Sequence, residues 1–128
     1  MFKRKKLFLD DIRNPKDVFK YIPDPIFLDD DWDVVRSYDE FVAYIKNNKI
    51  PPIISFDHDL GVEHYFFTSE KERIPYHEFN EKTGYDCAKW LVEYCLDNNI
   101  ACPDFFSHSM NPVGRKNING LLNGFKKF

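Results

Sequence analysis

Three short apolar runs, each stopping on a cluster of polar, titratable side chains, constrain this chain more than any other feature. The clearest is Ile53-Ile54-Ser55-Phe56, which runs into Asp57-His58-Asp59-Leu60-Gly61. Lys6-Leu7-Phe8-Leu9 ends in Asp10-Asp11, and Asp104-Phe105-Phe106 ends in Ser107-His108-Ser109. Runs of this length and character read as short buried strands. In an open parallel sheet, ligands bind beyond the carboxyl ends of the strands. The same pattern at three strand ends therefore predicts a site assembled from three loops.

Between these strands the pattern changes period. After the first strand (about residues 5–9), Asn14-Pro15 favours a turn and disfavours helix at Asn14. Residues 16–31, with Pro23, Pro25 and Asp29-Asp30-Asp31, read as an irregular connection where many α/β domains carry a helix. A second strand spans Trp32 to Arg36. Ser37-Tyr38-Asp39-Glu40 is then a capping box, with Ser37 accepting from the Glu40 amide and the Glu40 carboxylate reaching back to the Ser37 amide. The helix that follows directs Phe41, Val42, Tyr44 and Ile45 inward and stops near Asn47-Asn48, before Pro51-Pro52 opens the central strand. Residues 61–80, including His64, Pro75 and His77, are aromatic, polar and aperiodic, and read as an insertion lying over the strand ends as a lid. A helix over about 84–98 starts at Lys82 or Thr83, repeats Tyr85, Ala88, Leu91, Val92 and Cys95 at helical spacing, and closes at Asn98-Asn99. Asn111-Pro112 supplies an N-cap and a proline at the first helical position. The last helix then uses Val113, Ile118, Leu121, Leu122 and Phe125 for the core.

Strands separated by helices imply crossover connections, and hence a parallel sheet with helices on both faces. The expected fold is a receiver- or flavodoxin-like α/β domain over residues 1–128, with one open sheet of four strands in the order 2-1-3-4. That order sets strands one and three side by side, so Asp10, Asp11 and Asp57 share one crevice.

Composition fits such a domain. The 128 residues are 43% hydrophobic, with thirteen Phe, which is ample for a core without disulfides. A formal net charge of −3 does not demand nucleic acid, and the basic residues at the two ends (Lys3, Arg4, Lys5, Lys6; Lys126, Lys127) read as solvated termini. Cys87, Cys95 and Cys102 show no metal-binding spacing, and an odd count points to free thiols in a reducing compartment. The apolar run after the basic N-terminus is too short for a signal peptide, and no run approaches a membrane span, so a cytoplasmic location is expected.

The strand ends carry specific chemistry. Three carboxylates brought together repel unless a proton or cation intervenes. Asp10, Asp11 and Asp57 would suit Mg²⁺, although nothing in the chain requires a cofactor. His58 and His108 are the residue type that moves protons near neutral pH, and Asp57 and Asp59 are placed to orient them. Ser107, Ser109, Asn111 and the amides opening the last helix can donate to phosphate oxygens. Arg115 stands against the helix dipole in the first turn, a misfit that a nearby anion would relieve. Lys116 reads as solvated charge. Arg13 offers a bidentate fork to phosphate.

Together, Leu7 to Pro15, Ser55 to Gly61, Thr83-Gly84-Tyr85-Asp86 and His108 to Gly114 resemble the cyclic-phosphate processing receiver-like family, a divergent relative of the response-regulator receiver domain. The resemblance spans nearly the whole chain. It implies a receiver-type sheet and a role in processing cyclic phosphates, as in RNA end repair or nucleotide metabolism. Asp10 and Asp11 match the receiver's acidic pair, Asp57 its phosphoacceptor, and His58 and His108 the additional family histidines. The receiver's lysine after a fifth strand has no counterpart here, so phosphorelay signalling is not carried over. The leading expectation is a phosphoesterase for a cyclic phosphate or related phosphodiester, an RNA end or small nucleotide. In it His58 and His108 form an acid/base pair, Asp57 and Asp59 orient them, and Asp10, Asp11, Arg13, Ser107, Ser109, Asn111 and Arg115 contact the ligand. The alternatives are a module that binds or sequesters a phosphorylated ligand or is phosphorylated on Asp57, and a metal-dependent hydrolase using Asp10, Asp11 and Asp57. No membrane is expected, and no stable protein partner is readable from the residues.

Overall fold

A computed structural model describes residues 5–60 and 82–126. The expected 61–80 insertion, with Gly61, His64 and His77, lies outside the described residues. Four strands, β1 (Lys6–Leu9), β2 (Trp32–Val35), β3 (Ile53–Phe56) and β4 (Asp104–Ser107), pair in parallel in the order β2-β1-β3-β4. This is the sheet that the alternating strand and helix patterns predict.

The order follows from the connections. A parallel crossover is right-handed, so reversing the direction of travel across the sheet moves the connection to the other face. The β1-to-β2 connection covers one face. The later connections cover the other with α2 (Tyr38–Asn47), α3 (Gly84–Asp97) and, after β4, α4 (Pro112–Lys126). Strand residues alternate between the faces accordingly. Leu7, Leu9, Ile54 and Phe56 pack with Phe41 and Ile45 of α2, Leu91 and Cys95 of α3, and Ile118 and Leu122 of α4. Phe8 points the other way and packs with Val18, Phe27 and Trp32.

That second face corrects the expectation of an irregular connection over 16–31. A short helix, α1 (Pro15–Phe19), and a 3-10 helix (Pro25–Leu28) lie there. Each begins on a proline after a polar residue: the Asp17 carboxylate accepts from the Asn14 amide at 2.8 Å, and Asp24 accepts from the Ile26 amide at 3.0 Å. Proline at a first helical position loses no hydrogen bond, so the residues that suggested a break start helices instead. Lys6 is also unlike the solvated end expected for it. It is 5% exposed, bonded to Asp31 and to Asp29 (3.1 Å), with its ammonium over the Trp32 ring.

Local caps agree in part with their signatures. The Ser37 hydroxyl accepts from the Glu40 amide at 3.1 Å, but the Glu40 carboxylate accepts from Arg36 rather than Ser37. Val113 is 69% exposed instead of joining the core, because it falls on the outer side of α4's first turn, while Gly114 faces inward. Helix α3 ends with Asn99 at φ 55°, the Asn99 amide donating to Leu96 and Ile100 to Cys95. These two bonds satisfy the last carbonyls of the helix and require a left-handed residue, where glycine is strain-free. Asn99→Gly is therefore expected to stabilise the fold by roughly 0.5–1 kcal/mol, and Asn99→Ala to destabilise it by about 1 kcal/mol. Urea midpoints of the two variants check this. No described helix is long and apolar enough to cross a membrane.

Candidate functional site

Strand register builds the site. Leu9 pairs with Val35 on one side and Phe56 on the other, and Phe56 pairs with Ser107. The next residue of each strand therefore falls in one row: Arg36, Asp10, Asp57, His108. Ladder bonds run one step past the strands, from the Asp10 amide to Val35, Asp57 to Leu9, and His108 to Phe56. Three side chains of this row, Asp10, Asp57 and His108, are buried with a ligand atom of each within 4.8 Å of the others.

His108 is fully buried. Its ring stacks on Phe8 at a centroid distance of 4.5 Å and meets Phe27 edge-on. Nε2 lies 3.0 Å from Asp10 Oδ2, and Nδ1 lies 2.7 Å from the hydroxyl of Ser55, itself buried in mid-strand. Burial lowers the His108 pKa against the raising effect of Asp10. Burial acts the other way on Asp10, but hydrogen bonds from His108 and from the Arg13 and Ile12 amides outweigh it and hold the carboxyl below its ordinary range. Both directions describe one state: ionised Asp10 accepting from a neutral imidazole protonated on Nε2, with Ser55 donating to Nδ1. This tautomer is inferred from the hydrogen-bond network.

His58 has different surroundings. Its Nδ1 lies 2.8 Å from Asp59 Oδ1, and its side chain is 15% exposed. Two glycines fix it. The Gly84 amide donates to the His58 carbonyl at 2.7 Å, and a Cβ on Gly84 would sit 1.6 Å from the Asp57 carbonyl oxygen. A Cβ on Gly114 would sit 2.3 Å from Cγ of the His58 ring. The Thr83-Gly84-Tyr85-Asp86 motif thus acquires a physical meaning. Thr83 and Asp86 cap α3 reciprocally, and Gly84 lets the helix end press on the Asp57–His58 backbone.

The remaining acids are under electrostatic pressure. Asp57 is 2% exposed; burial and then the Asp10 charge push its pKa from 3.8 up to about 7. The same two causes push Asp11 up to about 6. Both carboxylate oxygens of Asp11 and Oδ2 of Asp57 are buried without a hydrogen-bond partner among the described residues. Orphaned carboxylate oxygens of this kind fit a hard divalent cation. Asp10 fits less well, since its oxygens already accept from Ile12, Arg13 and His108.

The raised pKa of Asp57 makes the stability of the fold depend on pH. A folded-state pKa above the unfolded one favours folding at low pH, and the benefit is lost as pH rises from about 4 through about 7. At pH 8 the ionised carboxylate therefore opposes folding. Asp57→Asn is expected to raise the thermal midpoint by about 5 °C or more at pH 8, with a smaller gain at pH 5. Calorimetry at the two pH values, without divalent cation, checks it.

A cavity of about 320 Å³ opens at these strand ends, lined by Arg13, Asp57, Asp59, Ser109, Met110, Asn111 and Pro112. Larger grooves of about 650 and 480 Å³ lie around Ile100 and Ala101 before β4; they hold no carboxylate or histidine. Of these three, the smaller cavity alone is lined by carboxylates. Of the residues expected from sequence, it gathers Arg13, Asp57, Asp59, Ser109 and Asn111, while Asp10, Asp11, His58 and His108 are absent from its lining. The Ser109 hydroxyl accepts from the Asn111 amide, and Asn111 caps α4 by accepting from Gly114. Arg115 donates to the Ser109 carbonyl, and the Ser107 hydroxyl is buried without a partner among the described residues. Three contributors were not read from sequence. Arg36 donates to the carbonyls of Asp10 and Arg13 and to the Asn14 side chain, bracing the acidic loop. Its position directly after an apolar strand was the available signal. Ser55, a hydroxyl inside an apolar strand, was another. Tyr21, in the segment read as irregular, gave none.

A parallel sheet in this order, with an acidic crevice beyond β1 and β3, defines a receiver-like α/β domain. The family model described as the cyclic-phosphate processing receiver domain matches residues 5–124. The chain belongs to that family. Neither the curated proteins nor the solved structures yield a match.

Proposed function

We propose that this domain hydrolyses a cyclic phosphate or related phosphodiester on an RNA end or small nucleotide, with His58 as the proton-transfer group. The observation that carries the reading is the His58–Asp59 pair. A carboxylate fixes Nδ1, and the other ring nitrogen has no hydrogen-bond partner among the described residues. Asp59 also lines the cavity that Arg13 and Asp57 share. Membership of a family named for cyclic-phosphate processing supports the substrate class.

In this reading Arg13 holds the non-bridging phosphate oxygens and His58 takes a proton from the attacking water. The new P–O bond forms as the bond to one ester oxygen breaks; that oxygen takes a proton from solvent, leaving a phosphomonoester. The reading departs from the division of work between two histidines expected from sequence. Both nitrogens of His108 are engaged and its ring is buried, which suits a residue that positions Asp10. Asp11 and Asp57 would hold Mg²⁺, which when bound offsets their mutual repulsion and polarises a phosphoryl oxygen.

The test is incubation of the protein with 2′,3′-cyclic nucleotides and cyclic dinucleotides, with and without Mg²⁺, following ring-opened products by phosphorus NMR. Formation of a phosphomonoester supports the proposal. A nucleotide bound tightly and returned unchanged would favour a sequestering module instead, and an acid-labile acyl phosphate on Asp57 after treatment with a small phosphodonor would favour a receiver.

A further inference from the structure

We infer that Tyr21 is the positioning residue for the anion-holding arm of the site, fixing the Arg13 guanidinium and tying it to the end of β4. The inference rests on the reading of Arg13 as the phosphate-holding group. The Tyr21 hydroxyl accepts from Arg13 Nη1 at 3.2 Å and donates to the His108 carbonyl at 2.8 Å. The guanidinium carbon lies 5.7 Å from the centroid of the Tyr21 ring, within reach of a cation–π contact. The same Nη1 lies 3.3 Å from Asp10 Oδ2, so the carboxylate and the phenol hold one end of the fork between them.

The placement gives this contact its consequence. Arg13 lines the cavity from the β1 side, and Ser109, next to His108, lines it from the β4 side. Tyr21 comes from neither loop. It follows α1, its amide donating to Val18, and reaches a carbonyl 87 residues later in the chain. One phenol thus joins both walls of the cavity. A free arginine side chain samples many rotamers, and holding its fork before an anion arrives removes that ordering cost from binding. Tyr21 touches no reacting atom in this arrangement; it acts through Arg13.

The experiment is a double-mutant cycle on the full chain with Tyr21→Phe, Arg13→Ala and the double variant. Values of kcat and KM are measured on 2′,3′-cyclic AMP. In parallel, rotation about the Cζ–Nε bond of Arg13 is measured by NMR on arginine-labelled protein with the tyrosine present and replaced. Tyr21→Phe keeps the ring and removes the hydroxyl. The expected result is a KM raised about 3–10-fold with a smaller change in kcat, no further rise in the Arg13→Ala background, and faster rotation of the guanidinium. A guanidinium that rotates no faster in Tyr21→Phe overturns the inference, as does the same KM penalty in both backgrounds. Absence of turnover in every protein would sink the phosphoesterase reading alone, because the rotation measurement still decides the role of Tyr21.

Discussion

Replacing His58 with Gln is expected to lower cyclic-phosphate turnover about 10²–10⁴-fold while leaving the protein folded. The imidazole is partly exposed, and its side-chain partner among the described residues, Asp59, is itself 31% exposed, so the substitution strands no deeply buried charge there. His108→Ala is expected to act through stability instead. It leaves the buried Asp10 carboxylate and Ser55 hydroxyl short of a partner and opens a hole against Phe8, together costing about 3 kcal/mol or more. Its pH dependence has a definite sign. With the folded-state pKa of His108 below 6.5, the unfolded chain binds more protons in acid. The imidazole therefore contributes fully above that pH, and its contribution is lost as pH falls below it. Kinetics and urea unfolding on both variants separate the roles. A His58→Gln protein with wild-type turnover would remove His58 from the chemistry, and a His108→Ala protein with wild-type stability would refute the structural role. Gly114→Ala offers a milder check, since its methyl group must displace the His58 ring.

Gly84→Ala is expected to have the largest effect on folding. The new methyl carbon would stand 1.6 Å from the Asp57 carbonyl oxygen and 2.7 Å from its carbonyl carbon. Both are backbone atoms of a segment pinned by the β1 ladder and by the bond from the Gly84 amide to His58. No rotamer change relieves that overlap, so the start of α3 must lift from the sheet. Overpacking ordinarily costs about 1–3 kcal/mol; here loss of about 4 kcal/mol or more is expected, enough to unfold a marginal domain. Gly120→Ala is the matched control. Nothing lies within 4 Å of its added methyl, and it should be neutral or stabilising by up to about 1 kcal/mol. Thermal melts of the two alanine variants test the contrast directly.

Much of the architecture was legible because it depends on periodicity. Alternating strand and helix patterns predicted the parallel sheet and its order, and Asn111, Ser37 and Thr83 marked helix starts through short-range hydrogen bonding. The 16–31 connection was misread because Asn-Pro and Asp-Pro serve equally as breaks and as helix starts. Which of the two they become depends on whether Val18 and Phe27 find a face to pack on. Lys6 was misread for a related reason: its partners, Asp29 and Asp31, come from a distant segment, and no local pattern announces them.

The strand ends show where the sequence stops. By itself it determined that Asp10, Asp11, Asp57, His58, Asp59 and His108 follow strands and stand at one end of the sheet, although the strand before His108 is only partly buried. It gave His58 and His108 the same standing, since each is an imidazole just past a strand. Only the tertiary structure separated them. Across a parallel sheet, register decides which end residues face one another, and the crossover connections decide which face is covered. His108 falls in line with Asp10 and Asp57, under the α1 side of the sheet, and its ring is enclosed by Phe8, Ser55 and Asp10. His58 falls one residue later, where Asp59 fixes one nitrogen, Gly114 leaves room for the ring and Gly84 for the backbone beneath it. Hydrogen bonding and burial, properties of neighbours brought together from distant parts of the chain, give two identical side chains different surroundings.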